Sequence, residues 1–500
     1  MIQVNTRGFE GELVIDCFCG GGGATSGIER AIGRPVDIAL NHNPHAIRMH
    51  EANHPETRHY VEDIWAVDPR EACGGLPVGL VWMSPDCKHF SRAKGRTPVD
   101  KKVRGLAWAA LRWAKAVKPR MFILENVEEF EDWGPLIWDA KLDGWVPDPD
   151  KVGLTFKIWI GKLRAQGYSI EHRSIMAADH GAPTTRQRMF IVARRDRENI
   201  VFPDATHSKT GNGLEPWVPA HEVLDFSLDC PTIFGKRPNG RMLADATMNR
   251  IAMGIPKFVT NGDPFIVRHG HYSKRTGAGL VAGKGAGLFR GQSIHDPLAT
   301  VCATNDKNLV VPVLAPFTVN CSNAGQRFRG QSVEEPLGTV MTKAHHALVV
   351  PWLIKHYGGM TGNPITDTVG TFTERDSQSL AKAVLQPAEV GDRANKVGEF
   401  LIKYYGTGGA KGLHLPIDTL TTRDRFALVE VFGQPYKIMD IGMRMLQPRE
   451  MYTAQGFDRD YQIDVDFYGK SFTKAQQTSM VGNSVCPDVA EAVTREQLAS

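Results

Sequence analysis

The residues Ser84-Pro85-Asp86-Cys87-Lys88-His89-Phe90-Ser91 present one thiol directly after an apolar run, Val78-Gly79-Leu80-Val81-Trp82-Met83. A run of that length and composition reads as a buried strand, and Ser-Pro-Asp is turn chemistry that ends it. Cys87 therefore stands just past the carboxyl end of a strand, the edge at which open α/β sheets bind ligands. A buried cysteine is often only a small hydrophobe. This one heads a segment, Lys88 to Arg104, with seven Lys or Arg against the single acid Asp100. Such a field is expected to lower a thiol pKa and attract a polyanion. Other strand ends carry polar groups as well. Leu13-Val14-Ile15-Asp16-Cys17-Phe18-Cys19 runs into four glycines, Gly20 to Gly23, with Thr25 or Ser26 able to cap the helix that follows. That arrangement lets a ligand approach the backbone at a helix N-terminus. Tyr60-Val61-Glu62-Asp63-Ile64 ends in an acid, and Met121-Phe122-Ile123-Leu124 ends in Glu125-Asn126-Val127. Between them, Val36-Asp37-Ile38-Ala39-Leu40 delivers Asn41 to where ribose hydroxyls are met in nucleotide-binding sheets.

The elements that must position these groups alternate: strand ends are separated by helix-like stretches such as Gly105 to Val117, the pattern of a parallel sheet. A length of 500 residues suggests two or three domains. With 42% apolar and 23% charged residues the chain is ordinary globular material with enough apolar content for a sizeable core. No stretch approaches the ~18 apolar residues of a membrane span and the first residues lack a signal core, so a soluble, cytoplasmic protein without a membrane partner is expected. The eight cysteines make no disulfide framework and are read as free thiols. A net charge of +4 means that a nucleic-acid surface must show as local clusters. The histidines His42, His45, His50, His54 and His59 have no cysteines at zinc spacing; a solvated helix face is expected and no metal site.

Taken together, these motifs resemble the DNA (cytosine-5) methyltransferase family of bacterial or phage type. Asp16 to Gly23 is similar to its S-adenosylmethionine loop, Cys87 with Phe90 and Ser91 to its nucleophile loop, and Glu125-Asn126-Val127 to its Glu-Asn-Val motif. Pro183-Thr184-Thr185-Arg186-Gln187-Arg188 resembles its two-arginine motif. Arg444 to Glu450 with Gln455-Gly456-Phe457, and Val481-Gly482-Asn483-Ser484-Val485, resemble its closing motifs. The resemblance implies a Rossmann-like α/β methyltransferase domain with an inserted, mostly β target-recognition domain. The expected division is 1–200 for the first catalytic and cofactor-binding part, 201–436 for target recognition and 437–500 for the return to the catalytic domain.

It also implies roles. Carbon 5 of cytosine is a poor nucleophile, so a thiolate, Cys87, first adds at carbon 6. Charge then grows at N3 and O2, where Glu125 and Arg188, helped by Arg186, would donate hydrogen bonds. No residue identifies itself as the base that removes the carbon 5 proton; a water can serve. S-adenosylmethionine would be held by Asp16, Phe18, Gly20, Gly22, Asn41, Asp63, Ile64, Asp86, Leu106, Asn483 and Ser484. The cytosine must be flipped out of double-stranded DNA, with Lys88, Ser91, Arg92, Lys94 and Arg96 on a basic loop that closes over phosphates. Asn41 departs from a family glutamate, which predicts weaker cofactor binding. Asp86 and Lys88 depart beside the thiol; the acid should raise its pKa, the lysine lower it, and the pair could accommodate a donor bearing an added carboxylate. The same chemistry on RNA, or a catalytically silent DNA-binding protein of this fold, are the alternatives. A monomer is expected, and nothing in the sequence identifies a cognate restriction endonuclease.

The interval before Tyr436 contains four degenerate β-rich repeats around Thr300, Thr339, Thr371 and Thr419, each followed nine positions later by a leucine, Leu309, Leu348, Leu380 and Leu428. Arg-Gly-Gln-Ser precedes the first two, at 290–293 and 329–332. Stacked two-strand units with variable connections are expected. Eight Lys or Arg against three Asp between Asn261 and Gly330 provide the local excess a DNA face needs.

Overall fold

The computed structural model describes residues 9–87, 90, 105–225, short stretches between 228 and 251, the strands of the interval given below, and 446–499. The central sheet contains β1 (Leu13–Cys17), β2 (Ile38–Leu40), β3 (Arg58–Tyr60), β4 (Val78–Met83), β5 (Met121–Asn126), β8 (Ser169–Met176) and β9 (Gln187–Arg194) in the order β3-β2-β1-β4-β5-β9-β8. The first five run parallel, while β9 returns antiparallel to β5 and β8. The chain leaves β1 toward β2 and β3 and comes back to β4 on its other side, so the switch point lies between β1 and β4. The carboxyl ends of the parallel strands and the start of β9 share one edge. All six residues of β4 and of β5 are buried, as strands covered on both faces require.

One cover is α4 (Ala109–Val117) and α5 (Leu154–Arg164), which bring Trp113 and Trp159 onto the sheet; α3 (Pro69–Cys73) contributes Ala72 and Cys73. The other is α1 (Gly23–Ile32) and α8 (Pro487–Ala499), with Ile28 and Val489. α2 (Pro44–Asn53) starts on a proline with the Asn43 side chain accepting from His45 N–H. It packs through Met49 on α6 (Pro448–Ala454) and α7 (Lys474–Asn483). A hairpin, β6 (Leu136–Asp139) with β7 (Gly144–Pro147), and the short pair β10 (His207–Ser208) and β11 (Glu215–Pro216) stand outside the sheet.

In the interval, β12 (Phe265–Val267), β13 (Gly291–Ser293) and β15 (Gly330–Ser332) form one sheet. A second contains β14 (Phe317–Asn320), β16 (His346–Leu353), β17 (Leu428–Val431) and β18 (Gln434–Arg444). The two Gly-Gln-Ser copies are β13 and β15, which flank β12 with Gln292 and Gln331 both opposite Ile266. Leu348 and Leu428 fall in strands, whereas the four repeat threonines, Leu309 and Leu380 lie outside the described residues. The described strands of the interval pair within these two sheets. β18 runs through position 436/437 into Arg444, whose guanidinium forks onto Glu450 at 2.7 and 2.8 Å. Among the described residues no helix is long and apolar enough to cross a membrane, and no His, Cys, Asp and Glu side chains group to hold a metal.

Candidate active site

Cys87 follows β4 by four residues, and the loop between is fixed from two sides. Ser84 N–H donates to Cys17 O at 3.2 Å, and the buried Asn126 donates from Nδ2 to Pro85 O at 3.2 Å while its Oδ1 accepts from Val127 N–H. Beyond the thiol, Phe90 N–H donates to Cys87 O at 2.9 Å, and the Phe90 ring packs edge-on against Phe130 and Trp133 at 5.0 and 5.8 Å. Asn126 therefore ties the ends of β4 and β5 together, a task its place in the Glu-Asn-Val motif did not reveal.

Glu125 is 6% exposed at the end of β5, and the antiparallel pairing of β5 with β9 sets the two arginines beside it. Arg188 Nε lies 3.3 Å from Glu125 Oε1, and Arg186 Nη2 lies 3.9 Å away. At Glu125 Oε1 and Arg188 Nε the contact is close but not aligned as a hydrogen bond among the described residues, which leaves two buried polar atoms for a polar ligand. Arg188 Nη1 donates to Gln187 O at 2.7 Å, and Arg186 Nη1 donates to Gly482 O at 3.3 Å, which spends part of Arg186 on the C-terminal return. Burial pushes the Cys87 thiol above its ordinary value, while the basic residues from Lys88 to Arg104 that were expected to lower it lie outside the described residues. Arg188 is the largest opposing influence, while Glu125 and Asp86 push it further up and Arg186 pulls it down. Asp86 acts in the direction expected of it. Lys88, Ser91, Arg92, Lys94 and Arg96 lie outside the described residues.

Next to this edge is a cavity of about 530 Å³ lined by Phe18, Leu40, Asn41, His42, Glu62, Asp63, Ile64, Trp65, Gly105, Leu106 and Trp108. Five expected cofactor residues, Phe18, Asn41, Asp63, Ile64 and Leu106, meet there. Trp65 and Trp108 were not anticipated, although each stands within two positions of a residue that was. Phe18 holds φ +66, a left-handed conformation unusual for a side chain with a Cβ. Asn41 Oδ1 already accepts from Asn43 N–H at 2.9 Å, so one of its two acceptor positions is committed to the turn. Asp63 Oδ1 accepts from Trp65 N–H at 2.9 Å. The apolar faces of Phe18, Ile64, Leu106 and two tryptophans with polar groups at the rim fit a purine nucleoside.

The other expected cofactor residues do not line that cavity. Asp16 is fully buried; Thr25 Oγ1 donates to its Oδ2 at 2.8 Å, its Oδ1 has no hydrogen-bond partner among the described residues, and burial pushes its carboxyl up to about 7. Ser484 donates to Met480 O at 2.9 Å and its carbonyl accepts from Gln455 Nε2 at 3.1 Å, while Asn483 is exposed at the end of α7. Gly20 (φ +54) has an open side: an added Cβ would stand 3.9 Å from its nearest neighbour, Phe18 O. Gly22 (φ +93) has none, for a Cβ there would lie 2.1 Å from Tyr461 Oη and 2.9 Å from His54 Nε2. One glycine of the loop has open space beside it and the other makes room for the protein.

The histidines correct a second expectation. His50 and His54 are 0% and 6% exposed and do not form a solvated face. His50 Nε2 lies 2.9 Å from Thr25 Oγ1 and its Nδ1 2.7 Å from His59 Nε2; His54 Nδ1 lies 2.8 Å from Glu29 Oε2. They fill the space between α1, α2 and Tyr461.

The sequence model for C-5 cytosine-specific DNA methylases matches residues 13–215 and 384–499. The Type II methyltransferase M.SacI of Streptomyces achromogenes is 30% identical over 273 residues, 49% of this chain and 63% of that one. M.AgeI of Thalassovita gelatinovora is 27% identical over 224 residues, 44% and 47% of the two chains. The matched part thus spans 47% to 63% of these curated relatives. The solved structure of the S. pombe Dnmt2 methyltransferase aligns over 96% of each chain with a TM-score of 0.47 and 12% identity. Because the family's sequence model covers both the segment bearing Cys87, Glu125 and Arg188 and the segment that returns to the glycine loop, the chain belongs to the C-5 cytosine-specific DNA methylase family.

Proposed function

We propose that this protein methylates carbon 5 of a flipped cytosine in double-stranded DNA, with S-adenosylmethionine as methyl donor and Cys87 as the nucleophile that adds to carbon 6. The observation that carries this reading is the convergence of Cys87, Glu125 and Arg188 at one sheet edge beside a nucleoside-sized cavity.

Each residue has a job that its surroundings support. Cys87 must shed its proton to attack; Arg188 is the strongest neighbour favouring the thiolate, so it assists the nucleophile as well as donating to the base's O2. Glu125 in its protonated form donates to N3, where charge develops when carbon 6 is attacked. Arg186, partly committed to Gly482 O, steadies Glu125 from 3.9 Å and is a weaker candidate for contact with the base. Asn126 holds the thiol loop at Pro85 O. The donor supplies an electrophilic methyl on a sulfonium. Phe18, Ile64, Leu106, Trp65 and Trp108 offer its adenine apolar walls, and Asn41 and Asp63 offer its ribose and adenine polar partners. Once carbon 5 carries the methyl, its proton leaves to water and the Cys87 thiolate is expelled, which restores the ring. The β-rich interval and the basic residues from Lys88 to Arg96 are the parts proposed to meet DNA, and a monomer suffices for one flipped base.

The test is expression of the wild type and of Cys87→Ala in a bacterium free of DNA methylation, followed by mass spectrometry of digested nucleosides. 5-Methylcytosine is expected with the wild type alone. A heavier cytosine would replace the donor in this reading, and unmodified DNA with methylated RNA would replace the substrate.

A further inference from the structure

The proposed chemistry leaves the buried histidines behind the glycine loop without a task, and their hydrogen bonds assign them one. Tyr461 Oη donates to Gly21 O at 2.6 Å, and Ser26 Oγ donates to Gly22 O at 2.8 Å. Each hydroxyl has a single proton and spends it on a loop carbonyl. Both oxygens then turn lone pairs toward His54 Nε2, which lies 3.3 Å from Tyr461 Oη and 3.4 Å from Ser26 Oγ. Nε2 must therefore carry hydrogen. On the far side of the ring, Nδ1 faces Glu29 Oε2 at 2.8 Å, and Glu29 Oε1 accepts from Val36 N–H at 3.0 Å. The Nε2 hydrogen is shared between the two hydroxyl oxygens, and Nδ1 anchors the ring on Glu29. The chain of contacts runs Glu29, His54, then Tyr461 and Ser26 in parallel, and ends on two consecutive carbonyls of the loop.

The packing agrees with this direction of control. The closed side of the loop is Gly22, pressed against Tyr461 and His54 with no room for a methyl group. Its open side is Gly20, next to Phe18, whose ring lines the cavity. Turning the carbonyls of Gly21 and Gly22 inward onto hydroxyl donors fixes the peptide planes on which the open side depends.

We propose that His54, anchored by Glu29 and acting through Tyr461 and Ser26, is a positioning residue for the methyl-donor loop and thereby sets donor affinity. This rests on the donor assignment made above. It touches neither the cytosine nor Cys87, so its effect belongs to donor binding and not to DNA binding or to the chemical step.

The experiment measures binding of S-adenosylhomocysteine to the full-length protein by calorimetry, together with KM for donor and DNA, kcat, and the urea unfolding midpoint. Tyr461→Phe keeps the ring and deletes the donor to Gly21; loss of one such bond predicts about a five- to tenfold rise in Kd and donor KM. DNA KM and kcat should stay within twofold, while the unfolding midpoint falls slightly, as the loss of one buried hydrogen bond requires. His54→Leu should weaken binding more, and His54→Gln, which can still donate toward Tyr461 and Ser26, should recover part of the loss. The proposal is overturned if Tyr461→Phe and the His54 variants bind S-adenosylhomocysteine as the wild type does. It is equally overturned if donor and DNA KM rise together in step with lost stability. A wild type that binds no S-adenosylhomocysteine would remove the donor assignment itself, a result distinct from an unaffected variant.

Discussion

Gly22→Ala tests the claim that the second loop glycine exists for the protein and not for a ligand. Gly33, the C-cap of α1, supplies the control: it too is left-handed at φ +71, but an added Cβ there meets nothing within 4 Å. Gly33→Ala should therefore cost only the left-handed backbone penalty, roughly 1–2 kcal/mol. At Gly22 the same penalty applies, and a Cβ 2.1 Å from Tyr461 Oη must displace a buried side chain, an overpacking cost of about 1–3 kcal/mol. The total is about 2–5 kcal/mol. Urea unfolding followed by circular dichroism reads this directly, and each kcal/mol should also move Tm by about 2–4 °C in a domain of 150–250 residues. Tyr461→Phe adds a sign test. It removes the oxygen that the new methyl would strike, so it should cost less in the Gly22→Ala background than in the wild type, with a coupling energy of about 0.5–3 kcal/mol. The reasoning fails if Gly22→Ala is no more destabilising than Gly33→Ala, or if the two substitutions add without coupling.

Two further predictions use pH. Arg194 is 2% exposed and forks onto Asp196 at 2.8 and 3.0 Å while Nη1 donates to Gln497 O at 2.8 Å, tying β9 to α8. Arg194→Met should cost about 1–3 kcal/mol at neutral pH, because the partly exposed Asp196 keeps Arg120 at 3.8 Å. Burial pushes the Asp196 carboxyl up, but the Arg194 hydrogen bonds and charge outweigh it and hold the group below its ordinary 3.8. A depressed carboxylate stabilises above its unfolded value and loses that stability as pH falls through the folded one. The acid limb of the stability curve below about pH 4 should therefore be shallower in the variant, and equal limbs would refute the pairing. Asp16 has the opposite sign: raised to about 7 from 3.8, it contributes fully below the lower value and its contribution is lost as pH rises through the higher. The difference is on the order of 4 kcal/mol. Asp16→Asn should flatten the fall of the urea midpoint between pH 4 and 7, and an unchanged slope would place the ionisation elsewhere.

How much of this was legible in the sequence depends on the distance over which each residue acts. Strands buried on both faces read as apolar runs closed by turn residues, so the ends carrying Asp16, Asn41, Asp63, Cys87 and Glu125 stood out without a partner being known. The cavity lining followed from those ends, and Trp65 and Trp108 were missed only because a tryptophan has no chemistry of its own to announce. Asn126 was visible as a motif member but its work was not, since Pro85 lies 41 positions away in the chain. Asn483 and Ser484 were read as donor residues, but the bonds of Ser484 to Met480 and Gln455 beside the loop were not legible. The thiol illustrates competing effects. The sequence displayed the positive charge that would lower its pKa, but not the burial that raises it.

The histidines failed for the same reason and reveal what the glycines are for. His50 and His54 stand four apart on one helix face, and sequence spacing cannot say whether such a face meets water or protein. The answer comes from Tyr461, 407 positions later. The same return explains three glycines near the first helix: a Cβ at Gly22 would meet Tyr461 Oη at 2.1 Å, at Gly23 Val485 O at 2.1 Å, and at Gly27 Pro487 O at 2.3 Å. A glycine-rich strand-to-helix turn suggests a ligand approaching the backbone. Here most of that approach is made by the chain's own C-terminal segment. The shape of the glycine loop thus matches the segment around 461–487 that packs against it. Among the described residues, those of 9–53 and 446–499 thus pack as one unit around the glycine loop.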